Sequence, residues 1–94
     1  MADEVFDALG APARRAILDV LCIRDDQTLF EIVTRLVMDH DIDLTRQAVS
    51  QHLLVLEAAG LVRSRREGRY KFHTIDTAPL DAAMSRWFTE EKKP

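Results

Sequence analysis

Residues 61–75, LVRSRREGRYKFHTI, contain two short runs, Leu61 to Arg66 and Tyr70 to Ile75, that flank Glu67, Gly68 and Arg69. This is the pattern of a β-hairpin with glycine where the turn needs a positive φ. By the two-residue period of a strand, Arg63 and Arg65 share one face, and Tyr70 and Phe72 share a face of the return strand. The hairpin is expected to carry charge outward on an aromatic footing.

Around it the apolar spacing is helical. Val5, Phe6 and Leu9 predict a first helix that stops at Gly10. Pro12 opens a second, whose apolar face is Ile17, Leu18 and Leu21 and which runs to about Ile23. Leu29, Ile32, Val33, Leu36 and Val37 repeat at three and four, predicting a third helix from about Thr28 to Asp39. Thr45 can cap the next, because a threonine side chain accepts a bond from the unpaired amides of a first turn. From Arg46 to Ala59 the expected buried side is Val49, His52 or Leu53, Leu56 and Ala59, with Gly60 ending the helix. Thr77 and Pro79 open a last helix with an apolar stripe of Leu80, Ala83, Met84, Trp87 and Phe88. The expected class is mainly α with a small β-hairpin: three helices, a helix that begins with polar side chains, a basic hairpin and one more helix, the order of a winged helix-turn-helix.

With 94 residues, a single domain over 1–94 is expected, near the size where one core is marginal and association helps. A hydrophobic fraction of 47% and a charged fraction of 31% exclude a disordered chain. No apolar run approaches the roughly 20 residues that span a bilayer. The N-terminus MADEVFDALG lacks the basic flank and apolar stretch of a signal peptide, so a cytoplasmic location is expected. Cys22 is the one cysteine and can form neither an internal disulfide nor a multi-thiolate site. Lying in an apolar helix, it is expected to be a small core residue.

The net charge of −3 is unevenly spread. Residues 1–45 carry ten acids against Arg14, Arg15, Arg24 and Arg35, whereas residues 46–73 carry six bases against Glu57 and Glu67. A partner meets the local field, and that field points to a polyanion.

Three segments, ALGAPARRAILDVL (8–21), RQAVSQHLLVLEAAGLV (46–62) and REGRYKFHTI (66–75), together resemble the ArsR/SmtB-type winged-helix transcriptional regulators. The resemblance runs from about Val5 to Phe88. It implies a double-stranded DNA operator as partner, and a homodimer joined through the terminal helices by Val5, Phe6, Leu9, Leu80, Met84, Trp87 and Phe88.

The residues suit such a role. A recognition helix enters the major groove with its N-terminal side chains toward base edges, and here those are Thr45, Arg46, Gln47, Ser50 and Gln51. Arginine suits guanine and glutamine suits adenine. Arg63, Arg65, Arg66, Arg69 and Lys71 of the hairpin would lie over phosphates or the minor groove. A two-fold dimer implies a palindromic operator with half-sites about one turn, 10 base pairs, apart. Leu54 is expected to be exposed where such regulators often carry a polar residue. His52 is expected to pack against the third helix; Arg14 and Arg15 can bind acids of neighbouring helices or phosphate, with the structural role ranked first for Arg15.

Metal-sensing members of the family use a Cys-x-Cys pair on the third helix or aspartate and histidine pairs on the last. This chain has neither, and no metal or cofactor is expected. VMDHDIDL (37–44) lengthens the segment before the recognition helix relative to the family; Asp39, His40, Asp41 and Asp43 there are expected in a solvated loop rather than around a hard cation. No nucleophile and base, paired acids or glycine-rich phosphate loop can be assembled, so an enzyme is not expected. The alternative is a winged-helix module that grips an acidic protein. An effector, whether small molecule or protein, is left open by the sequence.

Overall fold

The computed structural model describes residues 2–88. Helix α1 spans Ala2–Ala8 and α2 spans Pro12–Ile23, with proline in its first turn, where its missing N–H and fixed φ cost nothing. Helix α3, Leu29–His40, starts on a capping box: the Thr28 hydroxyl accepts the Glu31 N–H at 3.2 Å, and the Glu31 carboxylate accepts the Thr28 N–H at 2.9 Å. Helix α4, Arg46–Ala58, follows a five-residue connection. Strands β1, Val62–Glu67, and β2, Tyr70–Ile75, pair antiparallel, and α5 is Ala78–Phe88.

This is the winged helix-turn-helix expected, with α3 and α4 as its helical pair and β1–β2 as the wing. Each helix lays one face on a shared core. Ile17 and Leu21 of α2, Ile32 and Leu36 of α3, and Val49 and Leu56 of α4 are almost wholly enclosed, and Leu61 and Val62 close the core beneath the wing. Each such side chain contributes roughly 1.5–3 kcal/mol of transfer free energy.

The lengthened segment before α4 is resolved by one helical turn and two anchors. Helix α3 runs to His40, Asp41 takes φ 57 as its C-cap, and the Ile42 N–H bonds Leu36 O at 2.9 Å. Ile42 and Leu44 then pack on the core. Asp39, Asp41 and Asp43 are exposed. Among the described residues no group of three His, Cys, Asp or Glu side chains could hold a metal ion, and no helix is long and apolar enough to cross a membrane.

Two expectations are corrected here. Cys22 is exposed, not a core residue; it follows Arg15 by seven positions and Asp19 by three, and so shares their solvent face. Among the described residues, Arg14 and Arg15 reach backbone carbonyls rather than acids. Arg14 Nε donates to Ala8 O at 2.7 Å, and an Arg15 terminal nitrogen donates to Leu9 O at 2.6 Å. They satisfy the carbonyls that α1 leaves unpaired at its C-terminus.

Candidate nucleic-acid interface

The start of α4 is built to be exposed and electropositive. Thr45 is its N-cap, and the threonine oxygen accepts the Ala48 N–H at 3.0 Å, leaving the hydroxyl proton free to donate outward. No acid occupies the first turn, so nothing in the helix offsets the partial positive charge of its N-terminus. Arg46, Gln47 and Gln51 are exposed and Ser50 is half-buried. Gln47, Gln51 and Leu54 lie at i, i+4 and i+7 on the outer face, and Leu54 is 52% exposed, as expected.

Between α4 and the wing lies an open cleft of about 340 Å³. Arg46, Ser50, Arg69 and Lys71 line it, together with Phe30 and Tyr70. The elements that place these groups are rigid: Val49 and Leu53 root α4 in the core, and Val62 and His73 root the wing.

The strand register divides the wing cations. Arg65 stands opposite Phe72 and Arg63 opposite Thr74, whereas Arg66 faces Lys71 on the other side of the sheet. Arg65 is held by Asp26 at 2.6 Å and Glu67 at 3.0 Å, and its Cζ lies 4.8 Å from the centroid of the Phe72 ring. The aromatic footing thus exists, with arginine upon it. Arg63 lies 3.6 Å from Asp76. Among the described residues no carboxylate pairs with Arg46, Arg66, Arg69 or Lys71. Five wing cations looked equivalent in the sequence; two of them are engaged by the protein's own acids.

His52 is half-buried, with a hydrogen-bond partner on α2. Its Nδ1 is 3.3 Å from an Arg14 terminal nitrogen of α2, and because arginine only donates, Nδ1 is the accepting nitrogen. The residues missed altogether are those at the wing root. Gln27 and His73 exchange two backbone hydrogen bonds, at 3.0 and 2.8 Å, as an isolated antiparallel bridge beside the wing. The Gln27 amide Nε2 also donates to Val20 O at 3.1 Å and to Arg24 O, carbonyls at the end of α2. His73 is 5% exposed, with Nδ1 3.8 Å from Glu57, and burial pushes its pKa below the usual histidine value; nearby Glu57 opposes that shift and Lys71 adds to it.

The terminal helices pack on each other, with the Phe6 and Trp87 rings 6.0 Å apart and tilted by 44°. Val5 is corrected from interface to core: at 3% exposure it is enclosed by its own chain. Leu9 and Leu80 rest partly buried against that core, and Phe6 and Met84 are half-buried. Trp87 and Phe88 remain 49% and 70% exposed.

No family model matches the chain. It is 45% identical over 85 residues to the HTH-type transcriptional regulator YuzN of Bacillus subtilis, covering 90% of this chain and 92% of that one. It is 26% identical to the transcriptional repressor SdpR of the same organism, over 88% of this chain and 84% of the other. Among solved structures, an ArsR-like transcriptional regulator from Rhodococcus sp. RHA1 superposes with a TM-score of 0.74 at 33% identity, over 90% of this chain and 76% of that chain.

Proposed function

Because the chain belongs to the ArsR-type helix-turn-helix transcriptional regulators, we propose that it is a homodimeric repressor that reads a palindromic operator with α4 in the major groove and the wing on the flanking backbone. One observation carries the reading. Four cations without a carboxylate partner among the described residues, Arg46, Arg66, Arg69 and Lys71, sit on the two elements that flank one cleft, and three of them line it. Such a cluster of unshared positive charge suits a phosphate backbone. Gln47 and Gln51 on the outer face supply paired donors and acceptors for adenine, and Arg46 and Ser50 lie beside them. Thr45 has a hydroxyl proton to give a phosphate. Arg63 and Arg65 stand behind this first rank, their charge already shared with acids of the protein. The dimer rests on the apolar face of α1 and α5, where Trp87 and Phe88 are the exposed members. The repressor role rests on the similarity to SdpR.

Selection of bound sequences from a random duplex pool tests the reading, followed by anisotropy titration of the winner at low and near-physiological salt. The expected result is an inverted repeat with half-sites about 10 base pairs apart, bound with strong salt dependence. Arg69→Ala should weaken every duplex alike and reduce the salt slope by about one charge, whereas Gln51→Ala should change which sequence wins. Binding that fades equally for all duplexes as salt rises would reassign the wing to an acidic protein partner.

A further inference from the structure

Three successive residues of the α2–α3 loop grip the root of the wing. Asp25 Oδ1 accepts the Ile75 N–H at 2.8 Å, and Gln27 pairs by its backbone with His73. Between them, Asp26 binds both strands at once: Oδ2 lies 2.6 Å from Arg65 of β1, and Oδ1 accepts the Thr74 hydroxyl of β2 at 3.3 Å. Its backbone sits at φ 66, the left-handed region that aspartate enters more readily than most residues. On its far side the Arg65 guanidinium is fixed by Glu67 and by the Phe72 ring.

The Arg65 and Asp26 side chains are 48% and 44% exposed. Pairs so open to solvent contribute little stability, because water and salt screen them and two side chains must be ordered to make them. What this pair does well is direction. It joins the loop ahead of α3 to the wing on the side of the sheet opposite Lys71 and His73, since Arg65 and Lys71 project from opposite sides.

We infer that Asp26 is a positioning residue for duplex binding: through Arg65 and Thr74 it sets the angle of the wing over the α4 cleft, so that Arg66, Arg69 and Lys71 meet the phosphates together with Arg46. The inference rests on the DNA-binding reading above. Charge alone forecasts the opposite. Asp26 is an anion near the path of a polyanion, so its removal should tighten every complex. Were Arg65 simply waiting for a phosphate, losing Asp26 would also release it.

The test compares the wild type, Asp26→Asn, Arg65→Gln and the double variant on the selected operator, from about 50 to 300 mM salt. Asparagine keeps the size of the side chain and tolerates positive φ, and the Asp25 and Gln27 bonds remain to hold the fold. Asp26→Asn should weaken operator binding about fivefold to tenfold near physiological salt and lower the salt slope by about 1 to 2, although it touches no phosphate. Preference for the operator over a half-site-scrambled duplex, set by α4, should persist. Arg65→Gln should cost more slope than the roughly 0.9 of one lost phosphate contact, and the double variant should be no weaker than Arg65→Gln alone.

Binding by Asp26→Asn as tight as wild type or tighter, at an unchanged or steeper slope, overturns the inference while leaving the regulator standing. Should Asp26→Asn fail to fold, the Arg65→Gln slope decides: a loss of about 0.9 or less rejects positioning. A wild type that selects no duplex brings down the regulator reading, and the inference with it.

Discussion

The Arg14 guanidinium reaches from the second helix to His52 on α4, 38 positions along the chain, with a terminal nitrogen 3.3 Å from the imidazole Nδ1 while Nε holds Ala8 O. One planar cation thus ties the end of α1 to the middle of α4. Arg14→Ala should destabilise the fold by about 1–2 kcal/mol, the range for losing charged hydrogen bonds that are partly open to water. Arg14→Lys should recover less than half of that, since an ammonium lacks the fork that spans separate acceptors. Urea unfolding of the three proteins at neutral pH measures both; an alanine variant as stable as wild type would remove the tie.

Acid should weaken the fold in two stages. His73 is held below its ordinary value of 6.5 chiefly by burial, and Glu31 below its ordinary 4.5 chiefly by the Thr28 backbone hydrogen bond. In both cases the unfolded chain takes up the proton first. The stability each contributes is therefore complete above its unfolded value and is lost as pH falls toward the folded one. Thermal midpoints should start to drop below about pH 6.5 and drop again below about 4.5. His73→Gln should flatten the first stage, and Glu31→Gln should flatten only the second.

The two left-handed glycines should differ in their tolerance of alanine. At Gly68, φ 65, a Cβ would meet nothing within 4 Å, whereas a Cβ on Gly60 at φ 79 would stand 3.2 Å from Pro79 Cγ. Gly68→Ala should cost about 1 kcal/mol, the conformational term alone. Gly60→Ala should cost about 2 or more, because the start of α5 must also shift. Equal midpoints for the two variants in denaturant would contradict this.

Val5 and Trp87 sit on the same pair of helices and should fail differently. On the proposed dimer, Trp87→Glu should give a monomer in sedimentation velocity and weaken operator binding by uncoupling the half-sites. Val5→Ala should leave the sedimenting mass unchanged and cost about 1–2 kcal/mol through a cavity inside the protomer. A Trp87→Glu protein that sediments as wild type would place the dimer seam elsewhere.

The sequence was most legible where a single residue type acts locally. Pro12 marks the start of α2, Gly60 the exit from α4 and Gly68 the wing turn, because each satisfies a backbone need within a few positions. The apolar repeat likewise foretold Val49 and Leu56. Legibility fell where a residue's partner is distant. Asp25 and Asp26 read as an ordinary acidic turn, yet their partners lie 39 to 50 positions away in the wing. Gln27 carries no periodic signal, and its amide donates to carbonyls at the end of α2 that nothing in the local sequence marks. Spacing also could not say which wing arginines are free, because Arg63 and Arg66 differ only in which side of the sheet they occupy and what acid waits there.

The wing is fastened at its root and nearly bare at its tip. Backbone bridge, aspartates and a buried histidine hold one end, while around Gly68 there is open space. Changes in the length or charge of the tip therefore leave the folded body almost untouched. On the DNA-binding mode proposed above, a lineage carrying this architecture can strengthen or loosen its hold on a chromosome by editing a few residues there, without rewriting the address that α4 would read.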